Sequence, residues 1–481
     1  MSNSKHYIWS AIGKFGTEFL SFVGNILIAR ALSPDDYGLI ATLSIITALA
    51  MNFTDAGFND CLIRKRDSDK YDFGTVATYN IAVAVFIYSL LFVFAPYIAR
   101  FFHREELVGI ARVLGLSIIL KAFTLSGFVQ LNKNLKFKQS SIIGLLCSFF
   151  SIGIIYAMAL CGMGYWALAL QPVVVASLNI IFLMTIAKWK PYFCFKWTRF
   201  KEMFAFSSNL LLSYIVSNIG NNIYSVIIGK FYKTSELGYY NQAHKMQTVP
   251  TRGLNNVMVT TSYPIIAKEP DERKRYGLYV NLFRKFNFIQ TFLVFLLITA
   301  SDLVFYLLLG EKWMPSSPLF RIFMLIGLSY PLMTINSNMV KVQGKSNIYR
   351  NLTFLRSGLQ IAALGICAPI SLKAIVLGQV VASFVSVSFD MYYCGKTIGF
   401  TIVKQYKLWL SIVWKPLLVF VISKCFLFLI NNTLWLGIIS TTFFVLLFVL
   451  ICWMTRDSEF LYYMSYVKSL KLKLNKRNIH E

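Results

Sequence analysis

The chain has 481 residues, of which 57% are hydrophobic and only 14% are charged. Soluble domains carry about 25% charged and about 45–50% apolar residues, so this composition excludes a soluble globular protein, a disordered chain and a disulfide scaffold. The net charge is +26. In a membrane protein such an excess is expected in cytoplasmic loops beside anionic lipids, so the basic charge predicts no nucleic-acid partner.

Polar breaks divide the sequence into apolar runs, and each run is long enough for a membrane-spanning helix of about 20 residues. Backbone groups must be satisfied within a segment that lies in lipid, so the runs predict α-helices. The sequence therefore predicts an all-α polytopic membrane protein with about 14 transmembrane helices. The predicted spans are 8–32, 38–63, 75–100, 107–130, 139–161, 165–187, 203–230, 238–266, 278–309, 319–340, 348–370, 374–394, 409–430 and 434–454.

The connections between the spans differ in charge on the two sides of the membrane. Alternate connections, together with both ends of the chain, carry 29 Lys and Arg residues, whereas the opposite set carries six. Cytoplasmic loops are the ones enriched in Lys and Arg. This asymmetry predicts a multi-pass protein with both termini in the cytoplasm.

An internal repeat relates the two halves of the chain. Residues 28–38 and 228–238 share a basic residue, an acidic residue and a glycine at matching positions. Six predicted spans separate the copies, so both have the same orientation. Parallel repeats are a transporter architecture, and they predict two six-helix lobes followed by two additional helices. The predicted domains are an N-terminal lobe 1–200, a C-terminal lobe 201–405, two further spans within 406–455 and a basic tail 456–481.

Charged residues within the spans are mostly basic. We count 12 Lys and Arg within or at the edges of spans, against five acidic residues clearly inside them. Charges at membrane depth usually face a water-filled cavity. The excess predicts a cationic cavity for an anionic substrate such as a diphosphate, although a cation near a helix end can instead extend to the headgroups. The predicted substrate-binding cations are Lys14, Arg30, Lys121, Lys245 and Arg252.

A polar stripe runs along the first span. Lys14, Glu18, Ser21 and Asn25 are spaced by four, three and four residues, so they share one helix face. This face is expected to line the cavity, with Lys14 contacting substrate phosphate while Glu18 tunes it or exchanges a proton. The alternative is an ion pair between Lys14 and Glu18 that only neutralises itself.

Other polar residues are candidates for the cavity lining or for ion coupling. Asn218 and Asn222 of the seventh span could contact sugar hydroxyls, or could join helices by hydrogen bonds. His244, beside Lys245, could relay protons or could be a packing residue. Asp55 could pair with a cavity cation or act at a hinge, or could form a structural pair. The four histidines are scattered and no catalytic or metal-binding motif is present, so we predict neither an enzyme nor a metal site.

Three segments resemble a known family. Residues 25–38, 53–57 and 236–243 are similar to the signatures of Wzx-type polysaccharide flippases, in the multidrug/oligosaccharidyl-lipid/polysaccharide (MOP) exporter superfamily. The resemblance covers about residues 8–450 and includes Arg30. It implies two lobes in a V shape, a central cationic cavity and alternating access.

The resemblance also implies a cargo and a location. The cargo would be an undecaprenyl-diphosphate-linked oligosaccharide, moved across the bacterial inner membrane for O-antigen, capsule or exopolysaccharide synthesis. Membrane lipids and the polysaccharide polymerase machinery would be partners. We expect no cofactor beyond a proton or sodium gradient.

Two alternative functions follow from other features. One is a multidrug or cation antiporter of the same superfamily, whose cavity should favour acidic residues. The other is a membrane polysaccharide polymerase or ligase, which would be expected to carry a substantial periplasmic loop. The loops on the predicted periplasmic side are short.

Overall fold

The computed structural model describes residues 2–65, 67–427 and 433–477. These residues form two compact units, Met1–Asn241 and Gln242–Glu481, and the boundary falls within one long helix. Helices dominate, and the described residues contain no β-strand. The predicted all-α membrane fold is therefore confirmed. The lobe boundary at residue 200 and the limits of the later domains stay predictions.

The first unit contains nine complete helices and the beginning of a tenth. They are α1 (Ser2–Ala31), α2 (Pro34–Thr42), α3 (Ser44–Asp55), α4 (Phe58–Arg64), α5 (Lys70–Phe102), α6 (Glu106–Lys133), α7 (Phe137–Leu160), α8 (Tyr165–Thr185), α9 (Trp197–Phe231) and α10 (Thr234–Ala267).

The second unit contains the rest of α10 and the helices that follow. They are α11 (Glu272–Thr299), α12 (Ser301–Leu309), α13 (Ser316–Gly327), α14 (Ser329–Val342), α15 (Ser346–Cys367), α16 (Leu372–Ile398), α17 (Ile402–Leu427), α18 (Thr433–Met454) and α19 (Ser458–Arg477), with one 3₁₀ turn at Glu311–Trp313. The last four residues of the predicted basic tail, and residues 428–430 of the thirteenth predicted span, lie outside the described residues.

The number of spans differs from the prediction. Within the described ranges, nine helices are long and apolar enough to cross a membrane, or up to ten if one bent pair counts as a single span. The exact count of 14 is therefore not confirmed. The predicted spans in α1, α9, α10 and α15 are helical, but these helices are not among the nine.

The second predicted span is not one continuous helix. It bends by 41° between α2 and the following segment Ser44–Arg64. A second interruption separates α3 from α4, where Ala56 has φ 47° and Gly57 has φ 77°. Glycine adopts the left-handed region readily, whereas alanine does so at a cost. The end of α3 and the start of α4 therefore lie next to each other within the second predicted span.

Side-chain caps explain where several helices begin. Ser33 accepts a hydrogen bond from the backbone N–H of Asp36, and the Asp36 carboxylate accepts one from the backbone N–H of Ser33. The same reciprocal cap joins Asp69 and Asp72 at the start of α5. Such capping boxes satisfy backbone donors that have no partner within the helix. They fix the short connections that lead into α2 and α5.

An ionic network joins several helix ends in the first unit. The Asp72 carboxylate is fully buried, and it lies 3.1 Å from Lys65 Nζ and 3.5 Å from a guanidinium nitrogen of Arg199. Lys65 Nζ also lies 3.4 Å from Glu202, and Arg199 lies 3.5 Å from Asp69. This network connects the end of α4 with the beginnings of α5 and α9. Lys65, Asp69, Asp72 and Arg199 of this network lie in loops that the sequence predicts to be cytoplasmic.

Three ion pairs join described residues of the second unit, and two of them involve arginines. Arg356 on α15 contacts Asp390 on α16 at 2.9 Å, and the Asp390 side chain is only 1% exposed. Arg321 on α13 contacts Asp302 on α12, whose other carboxylate oxygen accepts a hydrogen bond from Ser317. Both arginines were counted among the basic residues of the spans. Because each has an acidic partner, neither adds net charge to a cavity.

Candidate functional site

Helix α1 is held against α7 by its glycines. A Cβ added to Gly13 would overlap the side chain of Ser141, and one added to Gly24 would overlap Ile152. The Ser141 hydroxyl donates to the backbone oxygen of Trp9 at 2.8 Å. Small residues let membrane helices approach closely. Lys14 follows Gly13, so it projects about 100° around the helix from this contact.

A cavity of about 780 Å³ lies beside this helix pair, entirely within the first unit. It is bounded by α1, by the end of α4, by the end of α6 and by the start of α7. Its polar lining residues are Lys14, Thr17, Glu18, Asn132, Lys133, Ser140 and Ser141. The lining therefore combines two cations and one carboxylate with hydroxyl and amide groups.

Lys14 and Glu18 both face this cavity, and both side chains are exposed. No ion pair within 4.0 Å joins them in the part of the chain that the structure describes. The structure therefore does not contain the ion pair between Lys14 and Glu18 that their spacing in the sequence allowed. An exposed ammonium in a partly enclosed cavity can attract an anionic group, because opposite charges attract more strongly near protein than in bulk water.

Lys133 is the second cation of the cavity lining, and it was not singled out from the sequence. Its Nζ donates to the backbone oxygen of Leu62 at 3.0 Å, and also to the Lys65 oxygen and the Ser68 hydroxyl. These bonds fix the end of α4 against α6, so the charge of Lys133 is held at the cavity wall. In the sequence it was one of three basic residues in a short loop, and only the folded structure distinguishes it from the other two.

The other predicted residues of the first unit lie elsewhere. Ser21 and Arg30 are exposed on α1, Asn25 is buried, and Lys121 is half-buried on α6. Asn218 and Asn222 donate to backbone oxygens four residues earlier in α9, at 3.1 and 3.0 Å. None of these residues lines the cavity beside α1.

Asp55 ends α3, at the interruption of the second predicted span. Its carboxylate accepts a hydrogen bond from the backbone N–H of Asn59 at 3.3 Å. Asp60, one turn further along α4, accepts a hydrogen bond from the Tyr214 hydroxyl of α9. Two acidic side chains therefore flank a helix break. Broken helices of this kind often contribute to ion sites in transporters.

Three predicted residues belong to the second unit. The His244 ring is half-buried and packs against Phe323, with ring centroids 5.2 Å apart. Lys245 and Arg252 are exposed on the same helix, α10. The ring contact agrees with a packing role for His244, although it does not test proton transfer. The site assignments of all the predicted residues stay predictions.

The repeated motif has a structural role in both copies. Asp36 caps α2, and the Glu236 carboxylate accepts a hydrogen bond from the backbone N–H of Lys233 at 3.0 Å, at the start of α10. The glycines at positions 38 and 238 lie where the two helices cross. The repeat that predicted a transporter architecture is therefore a pair of equivalent capped turns.

The long apolar helices indicate a multi-pass membrane protein. The sequence profile of a family described as "Polysaccharide biosynthesis protein" matches residues 27–318. The chain belongs to this family, and the predicted resemblance is confirmed.

Two relatives and one solved structure are similar to this chain. The chain is 26% identical over 352 residues to the teichuronic acid biosynthesis protein TuaB of Bacillus subtilis, covering 72% of each chain. It is also 26% identical over 268 residues to the succinoglycan biosynthesis transport protein ExoT of Rhizobium meliloti, covering 56% of this chain and 54% of the relative. The lipid II flippase MurJ, in an inward closed conformation, has a similar fold with a TM-score of 0.75, at 15% identity and covering 94% of this chain and 99% of MurJ.

Proposed function

We propose that this protein is a flippase for lipid-linked oligosaccharides. Its cargo is the undecaprenyl-diphosphate-linked repeat unit of an O-antigen, capsule or exopolysaccharide, which it moves from the cytoplasmic to the periplasmic leaflet. It lies in the bacterial inner membrane with both termini in the cytoplasm. The family membership, the transport protein among the relatives and the flippase fold support this proposal. The observation that carries it is the cavity lined by Lys14.

The cavity chemistry suits such a cargo. A diphosphate cannot cross lipid without groups that replace its hydration. The Lys14 ammonium supplies a positive charge, and the neighbouring hydroxyl and amide groups offer partners for sugar hydroxyls. The cavity lies beside the 131–139 loop, which is predicted to be cytoplasmic, so it is placed to receive cargo from that side. Alternating access would then expose the cargo to the opposite leaflet.

Lys14 provides the direct test. In a strain that lacks the protein, lipid-linked repeat units should be trapped on the cytoplasmic side, where a sugar probe that cannot cross the inner membrane does not reach them. The wild-type chain should restore labelling from outside. Lys14→Ala should lower the transport rate about tenfold or more, because hydrogen bonds to charged groups contribute about 1.5–3 kcal/mol, whereas Lys14→Arg should retain part of it.

The matched control is Lys373→Ala, which removes an exposed cation at the start of α16. This variant should transport at the wild-type rate, and immunoblots of membrane fractions should show equal amounts of all variants. If Lys14→Ala transports at the wild-type rate, the cavity has no role in transport. Normal periplasmic labelling in the deletion strain would contradict the proposed cargo itself.

Asp55 is the proposed residue for coupling to a proton or sodium gradient. It ends a helix beside a break, with Asp60 one turn away on the next helix. Unpaired carbonyl groups and carboxylates at such breaks bind small cations in transporters. Asp55→Asn should uncouple transport from the gradient, which can be measured by collapsing the proton and sodium gradients separately. Equal sensitivity of the wild type and the variant to both treatments would exclude this role.

The alternative functions make different predictions. A drug or cation antiporter would export a lipophilic cation, so efflux of such a dye by the purified chain in vesicles would favour it. A polymerase or ligase would leave single repeat units on the periplasmic side of a deletion strain. On the predicted periplasmic side, the longest connection between described helices is 310–315. Such short connections favour transport over polymerase or ligase activity. Cooperation with the polymerase machinery is part of the proposal.

A further inference from the structure

A second cavity, of about 790 Å³, lies at the turn between α5 and α6 in the first unit. Its lining includes Arg100, His103, Arg104, Glu105 and Val108. The turn lies on the predicted non-cytoplasmic side, where only six basic residues occur in the connections. We propose that this groove binds the phosphate headgroup of an anionic phospholipid in the outer leaflet of the membrane. The site does not depend on which cargo the protein moves.

Two arginines line the groove, and a third lies one helical turn beyond it on α6. Arg100 and Arg104 line it, are exposed, and form no ion pair within the described ranges. Arg112 lies four residues beyond Val108, so it follows on the same face of α6. A lipid phosphate between the two helices could therefore reach a guanidinium from each of them. Planar guanidinium groups bind phosphate through two parallel hydrogen bonds.

Arg112 is the residue that points to a ligand. Its Nε is buried and has no hydrogen-bond partner among the described residues. The guanidinium lies over the ring of Phe92, 4.1 Å from the centroid, and this contact does not provide a hydrogen-bond acceptor for Nε. A buried donor without an acceptor is unfavourable. A phosphate oxygen in the groove would supply that acceptor.

Helix stabilisation does not account for all of these charges. Cations near a helix C-terminus interact favourably with its dipole, which explains Arg100 in the last turn of α5. Lys230 also lies at the C-terminus of α5, where its Nζ donates to the Phe101 oxygen and lies 3.2 Å from His103 Nε2. Arg112 instead lies near the N-terminus of α6, where the dipole offers a cation no stabilisation. Neither the helix dipole nor an ion pair within the described ranges accounts for its charge.

The surroundings identify the ligand as a membrane lipid. Phe94, Tyr97 and Phe101 are 51%, 61% and 52% exposed next to the groove, as expected for aromatic residues at a membrane interface. Arg112 is six residues beyond the start of α6 at Glu106, about 9 Å along the helix. This depth suits a headgroup whose acyl chains run along α5 and α6. Glu105 and Glu106 reduce the net charge, which favours a singly charged phosphate over a more highly charged ligand.

Native mass spectrometry of the full-length protein tests the site. The probes are phosphatidylglycerol, phosphatidylcholine and undecaprenyl diphosphate, each titrated into delipidated protein. Phosphatidylglycerol should bind the triple variant Arg100→Gln/Arg104→Gln/Arg112→Gln about tenfold or more weakly than the wild type. Lys373→Gln removes a cation elsewhere on the same predicted side, and it should bind phosphatidylglycerol as the wild type does.

Two results would overturn the proposal. Equal phosphatidylglycerol binding by the wild type and the triple variant would exclude the site. Loss of undecaprenyl diphosphate binding alone, with phosphatidylglycerol retained, would identify the transported lipid as the occupant. If the triple variant fails to fold, Arg112→Gln alone is compared by thermal unfolding, where added phosphatidylglycerol should raise the Tm of the wild type more than that of the variant. Equal rises in Tm would also reject the site.

Discussion

Gly38 and Gly238 hold equivalent positions in a reciprocal helix crossing. A Cβ on Gly38 would overlap the backbone oxygen of Thr234, and a Cβ on Gly238 would overlap the backbone oxygen of Pro34. Each glycine thus lies against the start of the other's helix. The obstacle on both sides is backbone, which cannot move aside as a flexible side chain can.

This crossing makes both glycines sensitive to substitution. Gly38→Ala and Gly238→Ala should each destabilise the protein by about 1–3 kcal/mol, the usual cost of forcing extra atoms into a packed contact. Thermal unfolding in detergent measures the effect. The control is Gly253→Ala in α10, where a Cβ would meet nothing within 4 Å. That variant should be as stable as the wild type or slightly more so, because alanine favours helix. Unchanged Tm values for the first two variants would contradict the close crossing.

Lys133 should contribute to stability as well as to the cavity. Lys133→Met keeps the length of the side chain but removes the donor to the Leu62 and Lys65 oxygens. We expect a loss of about 1–3 kcal/mol, because these acceptors would lose a charged donor. Lys136→Met is the matched control, since Lys136 is exposed in the same loop. A Tm difference confined to Lys133→Met supports the assignment, and equal Tm values for the two variants would reject it.

The buried pair of Arg356 and Asp390 predicts a coupled effect. Asp390→Leu alone should destabilise the second unit by about 3 kcal/mol or more, because it leaves a partly buried guanidinium without its partner. The double variant Arg356→Met/Asp390→Leu should be closer to the wild type than either single variant. A double-mutant cycle in Tm or in denaturant unfolding measures this coupling. Additive effects would mean that the two side chains do not interact in the protein.

Asp69 predicts a dependence of stability on pH. The backbone N–H of Asp72, and then the guanidinium of Arg199, hold the pKa of the Asp69 carboxyl below its ordinary value. A carboxyl whose pKa is lower in the folded state stabilises the protein above the unfolded pKa of about 3.9, and this contribution is lost as the pH falls through the folded value. Asp69→Asn keeps the cap acceptor but not the charge. Its Tm deficit should be present at pH 7 and shrink below about pH 4, and a deficit that does not change with pH would oppose this account.

The sequence predicted the fold class because lipid leaves few choices for a backbone. Apolar runs and the asymmetry of basic residues were sufficient to identify a polytopic helical protein. The interruption at Ala56 and Gly57 was not predicted, because a span was inferred from average hydropathy, which does not register two left-handed residues. Helix α10 is long enough to span a membrane but is too polar to count as a candidate span, so helix length alone does not identify a span.

The candidate site was predicted in part. The spacing of Lys14 and Glu18 placed them on one face, and both line one cavity. Lys133 was missed because its position depends on contacts with Leu62 and Lys65, about 70 residues earlier in the chain. The count of charged residues in the spans did not show which of them form ion pairs with each other. Arg356 shows why, since its partner Asp390 comes from a different helix that no local pattern connects to it.

The capped turns at residues 33–38 and 233–238 carry the most recognisable stretch of the sequence, yet Asp36 and Glu236 form helix caps, and Gly38 and Gly238 allow the two helices to cross closely. These four residues stabilise the fold, which accounts for them without any contact to a sugar. Relatives could therefore share this stretch while exporting unrelated glycans. A chimaera that receives residues 28–38 from a relative should keep the glycan preference of the rest of its chain. A match to this motif therefore identifies the protein family but not the glycan.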